Sequence, residues 1–141
     1  QSEVAIVEAE TVGGPGLDEW ERLQALHQVF GAVEAGDWAT WRSAFADDAV
    51  LGQNVTPDIA IADAVKMLPL MFADGTTVRY ENLRRVSGPD SATEMHDAVF
   101  TKPDGRVVRI DICVVMQFND DGKIVRGDEY MDSAAAAGLH Q

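Results

Sequence analysis

The sequence contains a single cysteine, Cys113, among 141 residues. One thiol cannot form a disulfide within the chain, and it cannot supply the cysteine cluster of a structural zinc site. This scarcity is typical of a reducing compartment, so we expect a cytoplasmic protein. No stretch reaches the roughly 18 apolar residues that a membrane helix needs. The first residues also lack the basic and apolar segments of a signal peptide.

Cationic side chains are also scarce, because 11 Lys and Arg stand against 24 Asp and Glu, which gives a net charge of −13. A nucleic-acid binder needs clustered cations to displace counterions from phosphates, so that class is excluded. An anionic membrane surface would repel the chain for the same reason. The sequence has no phosphate-binding glycine loop, no Gly-x-Ser-x-Gly elbow and no zinc spacing. We therefore expect no cofactor and no metal.

Apolar residues, in contrast, are plentiful at 46% of the chain. That content and length suit one hydrophobic core and are too small for two. Residues 1–16 carry several glutamates and end in Gly13-Gly14-Pro15-Gly16, which indicates a flexible acidic tail. We expect the domain to cover residues 17–133, and residues 134–141 to form a C-terminal tail that includes a last helical turn at 134–137.

The first helix has the clearest local signals. Asp18 is placed to be its N-cap, and Glu21 follows three residues later, as in a capping box. Gly36 is placed to end the helix in the left-handed conformation. Apolar residues recur at helical spacing between these ends, namely Leu17, Trp20, Leu23, Phe30 and Val33.

Two shorter helices are predicted next. Asp37 can cap a helix that places Trp38, Trp41 and Phe45 on one face, and the pair Asp47-Asp48 ends it before a brief strand at 49–51. The two tryptophans are more typical of core packing than of a substrate platform. A third helix is expected over 58–73. Pro69 should kink or divide it, because proline lacks a backbone donor.

After residue 75 the apolar pattern changes to that of strands. Short turns rich in Gly, Pro, Asn and Asp separate four segments, and such turns favour hairpins. The segments are 76–86, 92–101, 106–118 and 123–132. Helices followed by an antiparallel meander indicate an α+β fold, with the N-terminal helices packed into a curved sheet around a mostly apolar pocket.

The strand 106–118 alternates cleanly between two faces. From residue 108 onward its even-numbered residues are all apolar and predict a buried face: Val108, Ile110, Ile112, Val114, Met116 and Phe118. The odd-numbered face is half apolar around Cys113 and Val115, which is consistent with a subunit interface.

The other two strands that carry acidic groups cannot be oriented from their pattern, because alternation with period two does not distinguish the faces of a mixed strand. Glu129 shares a face with Met131, and this face can look either inward or outward. On the strand 92–101, either Asp97 or His96 can be inside. A histidine on an apolar face is more often a hydrogen-bonded core residue than a catalyst.

Several short segments resemble a known group of proteins. The order of a long helix, a kinked helix and a four-strand meander is similar to the nuclear transport factor 2-like superfamily over residues 17–132, which forms a cone-shaped cystatin-like roll. Within it, the branch of limonene epoxide hydrolase and the SnoaL-like polyketide cyclases is the most similar. The matching segments are Phe45-Ala46-Asp47-Asp48, Gln53-Asn54, Thr93-Glu94-Met95-His96-Asp97, Gly122-Lys123-Ile124 and Asp128-Glu129-Tyr130-Met131-Asp132.

The resemblance implies specific site residues. Epoxide hydrolases of this branch use an Asp-Arg-Asp trio with a Tyr and an Asn, and these positions fall in turn on Asp97, Met95, Glu129, Gly52 and Asn54. The arginine and the tyrosine are therefore missing. The resemblance also implies substrate-pocket positions at Val99, Ile110, Ile112 and Met131, and we expect Met95 and Trp38 to line the same pocket. It favours the inward orientation of Glu129.

The expected function follows from the missing arginine. Two carboxylates that face each other without a cation cannot both ionise cheaply, so Asp97 and Glu129 should share a proton. We expect a cofactor-independent acid–base enzyme that acts on a small apolar substrate, with Glu129 as base, Asp97 as acid and Asn54 as a water or substrate ligand. His96 and Tyr80 are second-rank candidates.

The reaction stays open among epoxide hydrolase, isomerase and polyketide cyclase, with epoxide hydrolase as the leading single expectation. The alternative is a non-catalytic small-molecule-binding or dimerisation module. The family analogy also implies a homodimer through the outer sheet face.

Overall fold

The structure, a computed structural model, describes residues 16–140. The acidic tail predicted for residues 1–16 therefore lies almost entirely outside the described residues. In the described residues two helices come first, and six strands follow, with a third helix between the second and third strands. The six strands form one curved sheet that does not close into a barrel.

The first two helices form as their caps predict. Helix α1 (Glu19–Ala35) has both halves of the capping box, with the Glu21 N–H donating to Asp18 Oδ1 at 2.8 Å and the Asp18 N–H donating to Glu21 Oε1 at 3.0 Å. Gly36 ends it at φ 69°, in the left-handed region. Asp37 caps α2 (Trp38–Ser43). These caps are confirmed, but α2 ends at Ser43, so Phe45 and the pair Asp47-Asp48 lie in the following strand and not in the helix as predicted.

The segment from residue 45 to residue 72 differs from its prediction. Strand β1 (Phe45–Gln53) is longer than the expected three residues, and β2 (Thr56–Ala60) pairs with it as a hairpin. The predicted helix 58–73 consequently starts later, as α3 (Ile61–Met67) followed by a 3₁₀ helix (Leu68–Phe72). Hairpin pairing outweighed the local helical pattern. The division at Pro69 is confirmed.

Four long strands complete the sheet, close to their predicted bounds. They are β3 (Thr77–Ser87), β4 (Ser91–Thr101), β5 (Val107–Phe118) and β6 (Ile124–Met131). The strand order is β2-β1-β6-β5-β4-β3. The predicted antiparallel meander from β3 to β6 is confirmed. The structure adds a parallel pairing of β1 with β6.

One face of this sheet, the inner face, packs against α1 and carries the core. On β5 the even-numbered residues are the buried ones, and Ile110 is only 1% exposed. Leu26 and Val29 of α1 belong to the same buried cluster. The opposite side, the outer face, carries the odd-numbered residues of β5. The predicted alternation of this strand is confirmed.

The C-terminal segment folds back onto the sheet. Asp132 caps α4 (Ser133–Ala137) by accepting from the Ala134 N–H at 3.0 Å, and a 3₁₀ turn (Gly138–His140) follows. Lys102 Nζ donates to the Leu139 carbonyl oxygen at 3.2 Å. Ala135, Ala136 and Leu139 pack against the core. Among residues 16–140, no helix has the length and apolar character needed to cross a membrane.

Candidate active site

Glu129 lies on the inner face, the orientation that the resemblance favours. It pairs across the sheet with Val114, which is fully buried, and paired residues share a face. Gln53 on the neighbouring strand β1 donates a hydrogen bond from Nε2 to Glu129 Oε1 at 2.7 Å. Burial raises the pKa of Glu129, and the hydrogen bond from Gln53 and the charge of His96 oppose this rise only in part. Glu129 is therefore suited to hold a proton.

His96 is the second titratable group of the inner face. Its side chain is 2% exposed, and Nδ1 lies 2.5 Å from Oε2 of Glu94, two residues earlier on β4. Its other ring nitrogen, Nε2, is buried and has no hydrogen-bond partner among residues 16–140. A buried polar atom without a partner is uncommon, and each such atom requires a specific explanation, for example a catalytic role.

Glu94 is fully buried and has both of its oxygens bound. Oε2 contacts His96, and Oε1 accepts a hydrogen bond from Arg85 Nε at 2.5 Å. A buried carboxylate needs such a partner to remain charged. The inner face therefore contains a linked group of Arg85, Glu94 and His96, beside the separate carboxyl group of Glu129.

Aromatic rings enclose this group. Tyr80 lies with its ring centroid 4.4 Å from that of His96, and Phe30 of α1 packs edge-on against both, at 5.1 and 4.9 Å. Burial raises the pKa of Tyr80, and the negative charges of Glu129 and other nearby glutamates raise it further. Tyr80 is thus a neutral hydroxyl group at neutral pH.

Asp97 is not part of this arrangement, so the predicted pair of Asp97 and Glu129 is wrong. Asp97 lies on the outer face opposite Asp111, where Asn82 Nδ2 donates to it at 2.7 Å and Arg109 Nη1 at 3.3 Å. The hydrogen bond from Asn82 is the main cause that lowers the pKa of Asp97. His96 takes the inner position of this strand, and alternation sends its neighbour outward.

The same alternation corrects two pocket residues. Met95 and Val99 share the face of Asp97, so neither lines the interior. The inner positions of β4 are Glu94 and His96, each one residue before the positions that the resemblance had implied. A shift of one residue in a strand exchanges its two faces.

Asn54 has a different role from the predicted one. Its Nδ2 donates to the Met131 carbonyl oxygen at 2.9 Å, and its Oδ1 accepts from the Met131 N–H at 3.0 Å. Asn54 therefore continues the pairing of β1 with β6 through its side chain. The amide that contacts Glu129 is instead that of Gln53.

Three of the remaining pocket predictions fall on the inner face. Ile110 and Ile112 are buried there, and Met131 pairs with Ile112 and packs against the core. Trp38 is half-buried and stacks on Phe72 with ring centroids 5.7 Å apart. Trp38 thus packs among aromatic rings at the side of the core that is next to α2.

Three residues of the candidate site were not predicted from the sequence, namely Glu94, Arg85 and Gln53. Glu94 carried a usable signal, because any orientation that buries His96 also buries the residue two positions earlier. Arg85 and Gln53 had no such signal in the sequence, because the residues that they bond lie on other strands.

Two cavities adjoin the candidate site. A shallow cavity of about 500 Å³ opens mainly on the outer face, where Arg84, Met95, Asp97, Asp111, Cys113 and Tyr130 line it, and it also reaches His96, Ile112 and Met131. A second cavity, of about 170 Å³, is lined by Gln53 and Glu129 together with Asp58, Arg126 and Asp128. Within residues 16–140, no group of three or more His, Cys, Asp or Glu is arranged to hold a metal ion.

The SnoaL-like domain model matches residues 26–127, which is well over half of the chain. The chain belongs to the SnoaL-like domain family. This family lies in the nuclear transport factor 2-like superfamily, so the implied fold is confirmed. Comparison with curated protein sequences gives no match.

Solved structures resemble this SnoaL-like domain over most of its length. A provisionally assigned polyketide cyclase from Xanthomonas campestris pv. campestris has a TM-score of 0.76 at 13% identity, covering 87% of this chain and 98% of its own. A provisionally assigned isomerase from Bacillus subtilis also has 0.76, at 14% identity, with 88% and 96% covered. An LEH-like epoxide hydrolase from M. tuberculosis has 0.72 at 18%, with 86% and 90% covered. At such identities the likeness establishes the fold alone.

Proposed function

We propose that this SnoaL-like domain is a cofactor-independent enzyme that transfers a proton at a carbon next to a carbonyl group. The observation that carries the proposal is the buried Nε2 of His96, which has no partner within the described chain while Nδ1 is held by Glu94. A base needs such a free nitrogen, oriented by a third group. Glu129 supplies the matching acid, because its raised pKa favours the protonated form.

The proposed step moves one proton. His96 Nε2 takes the proton from the carbon, the carbon–hydrogen bond breaks, and its electron pair moves into an enolate. The carbonyl oxygen gains negative charge and accepts a hydrogen bond from the Glu129 carboxyl group, which keeps its proton. The imidazolium then returns the proton to a different carbon, which completes an isomerisation.

Cyclisation would begin in the same way. The enolate carbon attacks a second carbonyl of the same molecule, a carbon–carbon bond forms, and the new alkoxide takes the proton from the imidazolium. Proton transfer accounts for both outcomes without the arginine that the epoxide hydrolase trio requires. Met95, at the arginine position, points away from Glu129.

The expected substrate is small and largely apolar. The interior around His96 and Glu129 is lined by the apolar side chains of Phe30, Ile112 and Met131. A substrate there would find few polar partners besides the carboxyl group of Glu129, the imidazole of His96 and the phenol group of Tyr80. Because Nε2 is enclosed, we expect the Phe30 ring or the C-terminal segment to move when substrate enters.

The test is exchange of carbon-bound hydrogen in D₂O, followed by proton NMR on a panel of unsaturated ketones, 1,3-diketones and epoxides. We expect exchange with the ketones, and a loss of about 10²- to 10⁴-fold in His96→Gln. Glu129→Leu should lose about 10²- to 10³-fold. Asp97→Asn, a carboxylate of the outer face, is the control. Turnover of the ketones by His96→Gln would contradict the assignment of His96 as the base. Activity on the epoxides alone would contradict proton transfer next to a carbonyl group and would favour epoxide hydrolysis instead.

The second candidate is a non-catalytic module that binds a small apolar molecule, and the closely packed rings of Phe30, Tyr80 and His96 support it. It predicts ligand-induced stabilisation without exchange. Thermal unfolding with the same panel separates the two functions, because a binder gains stability by mass action whether or not it turns over its ligand.

We further propose a homodimer through the outer face. Three large apolar side chains, Val86, Val107 and Tyr130, are 59%, 57% and 54% exposed on this side of the sheet. A twofold interface would cover them with the same patch of the partner. Light scattering after gel filtration should give twice the chain mass, and Tyr130→Glu should give the monomer.

A further inference from the structure

An irregularity in β3 decides which arginine reaches the interior. Glu81 pairs with Asp97 and Arg84 with Met95, so β3 holds one more residue than β4 over this stretch. The extra residue forms a β-bulge, in which Asn82 has a φ of 56°. Such a bulge reverses the alternation that follows it. Arg84 consequently shares the outer face, and Arg85 faces inward.

The inward arginine meets a buried partner. Arg85 lies directly opposite Glu94 in the register of β3 and β4. Its Nε donates to Glu94 Oε1 at 2.5 Å, while Oε2 of the same carboxylate lies 2.5 Å from His96 Nδ1. The side chain of Glu94 is completely buried, and that of Arg85 is 21% exposed. Arg85, Glu94 and His96 are thus linked in this order, from a partly exposed guanidinium to a buried imidazole.

We propose that Arg85 is a positioning residue that keeps Glu94 ionised and thereby holds His96 as the tautomer protonated at Nδ1, with the lone pair of Nε2 facing the interior. The catalytic role of this arrangement rests on the proposed function, whereas the tautomer of His96 can be tested independently of it.

The inference follows from the chemistry of a buried carboxylate. An ionised carboxylate can only accept hydrogen bonds, so Nδ1 must carry the hydrogen in its contact with Glu94. Without the guanidinium, burial favours the neutral acid, and Glu94 takes a proton from solvent. The acid then donates to Nδ1, and the imidazole proton moves to Nε2. The nitrogen proposed as base would then be blocked.

Among the described residues, the other charged or titratable groups nearby do not replace Arg85. Arg22 of α1 is a buried cation close to the end of β3, but its guanidinium donates to Ser87 Oγ and to backbone carbonyl oxygens. Glu129 approaches His96 from β6, and Tyr80 packs on its ring from β3. Glu34 of α1 accepts a hydrogen bond from the Tyr80 backbone N–H at 2.8 Å. The carboxyl and phenol groups among these can become negative but not positive, so none supplies the cation that Glu94 needs.

The test reads the ring nitrogens of His96 directly by long-range proton–nitrogen NMR on the full ¹⁵N-labelled chain, with His96→Gln to assign the signals among the three histidines. In the wild type we expect Nδ1 to be protonated and Nε2 unprotonated above the imidazole titration. In Arg85→Met the pattern should reverse, and Arg85→Lys, which keeps a cation, should restore it. Arg84→Met removes the neighbouring outer-face arginine and is the matched control.

Two results would overturn the inference. One is a wild-type spectrum with the proton on Nε2, which needs no variant of Arg85 and holds even if Arg85→Met fails to fold. The other is an Arg85→Met variant with native backbone dispersion and an unchanged His96 pattern.

Activity separates this inference from the proposed function. If both hold, Arg85→Met lowers kcat by about 10²- to 10⁴-fold, the loss of a base, with little change in KM. Unchanged turnover in His96→Gln, together with the expected nitrogen pattern, would end the proposed function and leave the role of Arg85 in place.

Discussion

Glu94 and Glu129 both lie on the inner face of the sheet, yet their side chains have different partners. Glu94 is bound by the Arg85 guanidinium and by His96, whereas Glu129 accepts a hydrogen bond from the neutral amide of Gln53. A cation within bonding distance stabilises the charged form, and an apolar surrounding with a neutral donor does not. Two residues of one type are therefore placed in different electrostatic surroundings on the same face.

Glu129→Gln should remove a pH dependence of stability. The pKa of Glu129 is raised in the folded protein, so its favourable contribution is complete below the unfolded pKa and is lost as pH rises through the folded pKa. The variant has no such loss. We expect Tm of the wild type to fall relative to Tm of Glu129→Gln between pH 5 and pH 8, measured by thermal unfolding. A constant difference over this range would show that Glu129 is charged throughout.

Asp111→Asn should stabilise the fold at neutral pH. Asp111 faces Asp97 across β4 and β5, and this neighbour raises the pKa of Asp111, which means that its charged form is disfavoured in the folded protein. The amide keeps a donor for Asp97 without the repulsion. Tm should rise at pH 7, and the gain should vanish as acid protonates Asp111 in the wild type. A lower Tm at pH 7 would refute this.

Ile110→Ala and Val107→Ala should separate the two faces of β5. Ile110 is 1% exposed and belongs to the core cluster, so its truncation should cost about 2–5 kcal/mol in the free energy of unfolding. Val107, on the same strand, is 57% exposed on the outer face and should cost less than about 0.5 kcal/mol in the monomer. Urea unfolding measures both, and equal losses would contradict the assignment of faces.

Asp18→Ala should weaken α1 through its cap. The carboxylate accepts from the Glu21 N–H at 2.8 Å, and removal of such a cap costs about 1 kcal/mol. Asp18→Asn keeps the acceptor and is the control, with a smaller loss. Urea unfolding of the two variants should rank them in this order, and the reverse ranking would mean that the cap contributes nothing.

Local chemistry made the helix ends and the strand pattern predictable. A cap and its partner lie three residues apart, as Asp18 and Glu21 do, so the whole interaction is visible in the sequence. The alternation of β5 is equally local, and its even-numbered residues are buried. The segment after residue 53 was harder, because pairing with β1 turned residues 56–60 into a strand.

The candidate site was predictable only in part. Glu129 and the second-rank pair His96 and Tyr80 are on the inner face, and Asp97 is not. The resemblance had placed the site one residue too far along β4, and a single residue in a strand separates the interior from the outer face.

The helix caps and the four long strands could be predicted from the sequence, since caps, turns and apolar periodicity act between residues that are close along the chain. The hairpin of β1 and β2, the buried side of β4 and the turn of Arg85 toward Glu94 at the Asn82 bulge depend on tertiary packing. The physical reason is that a strand offers both faces equally, and the choice belongs to the helix and the neighbouring strands that pack against it.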